Sequence, residues 1–274
     1  MDTVLEFDTY DQLYSKNKLI MWLDISTHCN ASCPQCHRTR AGYRHHYEKD
    51  ENGNFIGPFH ITQVDWLPLV QWSIKDFTKA FSRKTLSNIE GFDICGTWGD
   101  PIMNKDILKI IHYIKYNSSS WIQINTNGSI RDSEWWWELG VLGDKRLEVI
   151  FDIDGVTQKE HSLYRQGTNL EKILDNMKTL SNTKAKATVF TVIFEHNRKS
   201  MYDIAQLCKE NGAKHIVFLV SNRFSINEKE FDFFNKENKL QTLVKSTDNL
   251  KDFYWKHYDL FNTEQMEIIK NASH

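Results

Sequence analysis

The chain lacks an excess of basic charge. Its 34 Lys and Arg stand against 36 Asp and Glu, a net charge of −2, so bulk attraction to nucleic acid or to an anionic membrane is not what organises it. It also lacks any apolar run approaching the roughly 18 residues of a membrane span. Met1 to Tyr14 alternates acidic and apolar residues without a basic start, which is not the pattern of a signal peptide. No internal repeat and no low-complexity linker interrupts it. There is no second C-x2-C to complete a two-knuckle zinc site. The five cysteines are an odd number and three share one loop, so a disulfide framework is not expected. Cys95 and Cys208 lie far away inside apolar stretches and read as buried free thiols. A reduced, cytoplasmic setting follows as an expectation. What is present, 274 residues with 40% apolar and 26% charged, suits one large soluble α/β domain, or a domain with an extension.

The most informative stretch is Cys29-Asn30-Ala31-Ser32-Cys33-Pro34-Gln35-Cys36. Three thiols within eight residues cannot share one face of a strand, and Pro34 forbids a helix interior. The stretch must be a loop that turns its sulfurs toward one point, as a soft metal centre requires. An iron–sulfur cube normally takes four cysteines. With three here and no fourth nearby, one iron would stay open to another ligand. Two other readings compete: a zinc knuckle of Cys33 and Cys36 with His28 and His37 beside it, and a thioredoxin-like redox pair.

This C-x3-C-x2-C loop resembles the cluster loop of the radical S-adenosylmethionine (SAM) enzymes. The resemblance implies that Cys29, Cys33 and Cys36 hold one [4Fe-4S] cluster whose fourth iron is chelated by the amino and carboxylate groups of SAM. It further implies cleavage of SAM to a 5′-deoxyadenosyl radical, a hydrogen atom taken from a substrate, and a reductant such as flavodoxin or ferredoxin. The cofactor supplies the difficult chemistry and the protein positions and shields it.

Along the chain, residues 18–26 read as a first strand ending at the cysteine loop. Residues 38–60 are polar, with His45, His46 and a turn cluster at Asp50–Asn54, and read as a solvated loop or a flap over the pocket. Apolar residues at helical spacing from Val64 to Phe81 predict a helix over 62–82 with Thr62 as N-cap. Further strands are expected at 89–96, 121–128, 147–155, 187–194 and 215–221. Helices are expected at 104–117, around Trp135-Trp136-Trp137, at 169–181 and at 199–211, the last stopped by Asn211-Gly212. At least one ring of the triple Trp must sit near the rim.

Three strand ends extend the resemblance. Gly96-Thr97-Trp98-Gly99-Asp100-Pro101 is similar to the family's Gly-Gly-Glu-Pro turn, with Asp in place of Glu; the likeness implies that Gly99 and Asp100 receive the SAM amino group. Asn125-Thr126-Asn127-Gly128 is similar to its Thr-Asn-Gly strand end, which marks Asn127 as a cofactor-binding candidate. Asp152-Ile153-Asp154-Gly155, followed by His161 and Arg165-Gln166-Gly167, is similar to its Ser-Ile-Asp-Gly strand. That likeness implies Asp152 near the SAM ribose or ammonium and Arg165 near the SAM carboxylate, with a structural ion pair equally open for Arg165.

Six strands alternating with helices predict a partial (β/α)6 parallel barrel over residues 1–222, its site at the C-terminal strand ends. Residues 223–274, rich in aromatics and charges, predict a short, mainly helical extension capping the barrel. The extension lacks the auxiliary-cluster cysteines of the peptide- and protein-modifying branch. The expected substrate is a peptide or protein by resemblance. A nucleotide or small metabolite is the alternative substrate, and a non-catalytic zinc scaffold the alternative of a different class.

Overall fold

The computed structural model describes residues 19–39, 48–53, 55–56, 64–224, 227–235, 237, 239–246 and 256–273. In chain order these carry β1 (Leu19–Trp22), β2 (Glu48–Lys49), β3 (Phe55–Ile56), α1 (Ile74–Ala80), β4 (Ile89–Ile94), α2 (Ile107–Asn117), β5 (Trp121–Thr126), α3 (Ser133–Gly143), β6 (Leu147–Asp152), α4 (Leu170–Ser181), β7 (Lys186–Ile193), α5 (Met201–Glu210), β8 (His215–Val220), β9 (Glu230–Phe234), β10 (Leu240–Val244), β11 (His257–Asp259) and α6 (Thr263–Ala272).

Six strands form one parallel sheet in sequence order, β1-β4-β5-β6-β7-β8, as the alternation of strand and helix requires. β5 shows why each strand sits as it does. Ile122, Ile124 and Thr126 are buried and alternate with half-buried Trp121, Gln123 and Asn125. The apolar set joins a core with Phe92 and Ile94 of β4, Val149 and Phe151 of β6, and the buried Ile107, Ile110, Ile111 and Ile114 of α2. The other set gives the sheet a polar face. This is the layering of a partial β/α barrel: an α/β fold with helices on one face of the sheet and strand ends gathered at one rim.

Of the triple Trp, Trp136 is fully buried against Phe151, its indole N–H donating to the Ile130 carbonyl at 3.0 Å, while Trp137 is half exposed. The stop at Asn211-Gly212 is present, with Gly212 at φ +91°. Among the described residues no helix is long and apolar enough to cross a membrane.

Two expectations are corrected. The helix over 62–82 does not form: Thr62 lies outside the described residues, Val64 to Trp72 is non-helical, and α1 starts at Ser73. Pro68 accounts for the break, since it donates no N–H and disfavours helical Leu67. Ser73 and Asp76 then cap each other's backbone and start the helix afresh.

The described part of the tail is not mainly helical. β9 and β10 form an antiparallel hairpin, β11 adds antiparallel to the edge strand β8, and α6 is the one helix of the described tail. Alternation in Glu230-Phe231-Asp232-Phe233, with both Phe buried and the acids exposed, is a strand signal that the aromatic content obscured. Most of the 38–60 loop lies outside the described residues; β2 and β3 pair around Asp50–Gly53, with Gly53 at φ +80° closing the expected turn.

Candidate cluster site at the strand ends

The loop after β1 is wound by local bonds. The Cys36 N–H donates to the Cys33 carbonyl, and the Thr39 hydroxyl donates to the carbonyls of Cys33 and Cys36 at 3.2 and 3.0 Å. The Ala31 N–H points at the Cys29 sulfur at 3.4 Å. All three thiols are free; Cys33 is buried, Cys29 and Cys36 half-buried.

The ends of β4, β5, β6 and β8 then tie the loop in place. The Asp100 N–H donates to the His28 carbonyl at 2.7 Å, and Arg38 donates to the carbonyls of Trp98 and Thr27. After β5, Asn127 Nδ2 donates to Asn30 Oδ1 at 3.0 Å and approaches the Cys29 sulfur at 3.8 Å, while Asn30 donates to Ser129. After β6, the Gln166 carbonyl accepts from the Ser32 N–H at 2.8 Å, and Arg165 Nη1 lies 4.0 Å from the Cys33 sulfur. After β8, the Ser221 hydroxyl donates to Gln35 Oε1, and Arg223 donates to the Gln35 carbonyl, each at 2.7 Å.

A roof from the tail closes the apolar side. Phe224, Phe231, Phe233 and Leu243 pack with Ala31, Cys33, Tyr164 and Phe194, and Cys29 and Cys36 lie against that cluster. Burial pushes the Cys33 thiol up to about 11, Arg165 opposing the shift. Cys29 is raised further, by burial first and then by Asp100. Thiols so placed need a cationic partner to ionise.

Each expected site residue has a definite place. Gly99 lies so close to β1's extension that an added Cβ would stand 2.1 Å from the Ser26 carbonyl oxygen. Asp100 is buried and surrounded by donors: the Thr126 hydroxyl at 2.8 Å, the backbone N–H groups of Asn127 and Ile102 at 3.0 and 3.1 Å, and the Asn127 amide. Burial raises its carboxyl pKa despite those bonds. Asp152 and Asp154 both pair with Arg165, at 2.9 and 2.5 Å. Burial lifts the Asp152 carboxyl to about 7, Arg165 pulling the other way. His161, fully buried, accepts the Asp154 N–H on Nδ1 and therefore donates from Nε2 to Thr168 at 2.9 Å. Burial holds it at about 4, so it is a neutral brace between the two turns. Of the two thiols read as buried, Cys208 is, but Cys95 is half-buried, near Thr97.

Between the cysteine loop and the strand ends lies a cavity of about 320 Å³, its wall including Cys33, Cys36, Gly96, Thr97, Asp152 and Leu219. Among the described residues no three His, Cys, Asp or Glu side chains gather tightly enough to hold one ion. An iron–sulfur cube sets its thiolates further apart than one ion does. An all-thiol donor set in an apolar shell, with N–H donors near the sulfurs of Cys29 and Cys33, fits such a cube.

No family model and no curated protein matches the chain. Solved structures do. Streptococcus suis SuiB bound to S-adenosylmethionine gives a TM-score of 0.54 at 14% identity, covering 88% of this chain and 47% of that one. SuiB bound to its precursor peptide SuiA gives 0.53 at 13%, covering 74% and 39%. Native anSMEcpe with bound AdoMet gives 0.52 at 14%, covering 76% and 54%. The fold is that of the radical SAM enzymes. The chain spans 39% to 54% of the length of the chains in these three structures.

Sequence reasoning did not single out Asn30, Arg38, Tyr164, Asn197 or Arg223. Asn197 is fully buried and joins the Asp154 and Val192 carbonyls to the Phe194 N–H. Nothing local in the sequence marks these residues, because each acts on a partner distant along the chain.

Proposed function

We propose that this protein is a radical SAM enzyme acting on a peptide or protein, with one [4Fe-4S] cluster on Cys29, Cys33 and Cys36. The observation that carries the reading is the three free thiols in one apolar shell, two of which, Cys33 and Cys36, line a cavity edged by Thr97 and Asp152. When bound, cluster and SAM together supply a 5′-deoxyadenosyl radical that takes a hydrogen atom from the substrate. The chain's own residues do the rest. The Gly96–Asp100 turn presents backbone to the methionine end, and Asp100 holds that turn to the end of β5 rather than reaching outward. Asp152 offers its carboxylate to the ribose. Arg165, held between Asp152 and Asp154, offers its remaining N–H groups to the SAM carboxylate. Asn127 steadies Cys29. The β9–β10 hairpin excludes water from the sulfurs. A peptide substrate is favoured by the shared fold with SuiB, whose structure holds a precursor peptide; a nucleotide or small metabolite is the second reading. Reductant binding and a cytoplasmic location belong to the same proposal.

The test is anaerobic reconstitution with iron and sulfide, reduction, and incubation with SAM. The expected result is a brown protein that releases 5′-deoxyadenosine, and a Cys29→Ala, Cys33→Ala, Cys36→Ala variant with neither colour nor product. A loaded cluster without product, or a colourless protein with stoichiometric zinc, overturns the proposal.

A further inference from the structure

Beside the cofactor cavity, on the outer flank of the cysteine loop, is a second cavity of about 400 Å³ lined by Gln35, His37, Asn222, Arg223 and Phe231. Its chemistry is one-sided. Gln35 is 2% exposed, yet its Nε2 has no hydrogen-bond partner. Ser221 Oγ takes the Arg223 N–H at 3.4 Å and gives its own hydrogen to Gln35 Oε1. Two amide hydrogens are thus left without an acceptor. Arg223 spends one N–H on the Gln35 carbonyl, and among the described residues its guanidinium makes no contact ion pair, Asp152 feeling it only at longer range. No acidic side chain lines the cavity among the described residues, and Phe231 supplies an aromatic wall. Buried donors without acceptors are costly to leave so. A guanidinium with free N–H groups beside an amide donor matches a carboxylate, which accepts two bonds at once.

We infer that this cavity is a carboxylate-recognition subsite, with Arg223 as the anchoring cation and Gln35 as the second donor, and that it takes an acidic residue of the peptide substrate. Asn222 and Arg223 also border the cofactor cavity, so a carboxylate held here lies next to the reacting centre. The subsite deepens the proposed function, since only the peptide identity of its ligand rests on that reading. Specificity of this kind is a difference between a paired and an unpaired donor set, and is large when the site is buried.

The test uses two probes that differ in one group, N-acetyl-glutamate amide and its neutral isostere N-acetyl-glutamine amide. Each is titrated by ligand-observed NMR into the reconstituted full chain, with and without SAM. The expected result is at least tenfold tighter binding of the acid. Arg223→Gln abolishes the preference, Arg223→Lys keeps part of it, and Gln35→Leu weakens the acid more than the amide, each compared at equal iron loading. Equal binding of the two probes, or a preference that survives Arg223→Gln, overturns the inference. So does a loss of SAM affinity in Arg223→Gln greater than the loss for the probe, which would assign the cavity to the cofactor. Acid preference without 5′-deoxyadenosine formation leaves the subsite standing and removes the radical SAM reading; 5′-deoxyadenosine formation without acid preference does the reverse.

Discussion

Asp93 stands on the polar face of β4, where it accepts from the Asn125 amide at 2.9 Å. Burial lifts its carboxyl from 3.8 to about 6; Gln123 and Asn125 oppose the shift and Asp24 adds to it. The folded chain therefore holds a proton that the unfolded chain releases between those values. The contribution of Asp93 to stability is fully present below about pH 4 and is lost as pH rises toward 6, by at most about 3 kcal/mol. Asp93→Asn should flatten that slope: equal to wild type in acid, more stable near neutral pH, read from urea midpoints across the range. Two sulfurs offer a second prediction at this scale. On the proposed cluster, donors beside Cys29 and Cys33 would stabilise the more negative, reduced state. Asn127→Ala and Arg165→Gln should each lower the cluster's reduction potential, measured by EPR-monitored redox titration; an unchanged potential in both would remove that role.

At the scale of elements, the β9–β10 hairpin is the roof of the cysteine loop. Phe233 is 1% exposed within it. Phe233→Ala should cost about 3–5 kcal/mol and let the reconstituted chromophore bleach faster in air than in a variant equally destabilised elsewhere, such as Trp136→Ala. The Gly99 turn makes an equally definite demand. A Cβ there meets backbone rather than a movable side chain, so Gly99→Ala should separate the turn from the end of β1, lowering iron incorporation with helix content retained. The elements themselves were mostly legible. The strands at 89–96, 121–128 and 215–221 end within two residues of Ile94, Thr126 and Val220, because an apolar run between turn residues carries its own boundaries. The helix expected over 62–82 was misread because the spacing of Val64, Leu67 and Val70 is helical while Pro68 between them forbids it. Val64 and Leu67 are buried all the same, and Val70 is exposed.

For the whole molecule, the boundary at 222 expected from composition falls after β8, yet the tail returns to the sheet. Tyr258 and Leu260, with Met266 and Ile269 of α6, belong to the same core as the barrel strands. A chain of residues 1–222 should therefore lose fixed tertiary packing, with near-UV circular dichroism collapsed and a hydrophobic dye bound. A truncated chain with a native near-UV spectrum would show that the tail is an accessory. The parallel order of six strands places every loop of the site at one rim, so residues as distant as Gln35 and Arg223 meet there.

By itself the sequence determined the cysteine loop, the α/β alternation and the turns at Gly99 and Asp154, because each depends on neighbours within a few residues: a spacing, a proline, a periodicity. Tertiary structure alone decided that Asp100 braces β5, that Arg165 is held by two carboxylates, and that a β-hairpin rather than helices covers the sulfurs. Those outcomes depend on which strand ends lie side by side and on how deeply each charge is buried, quantities that exist only after the sheet has formed.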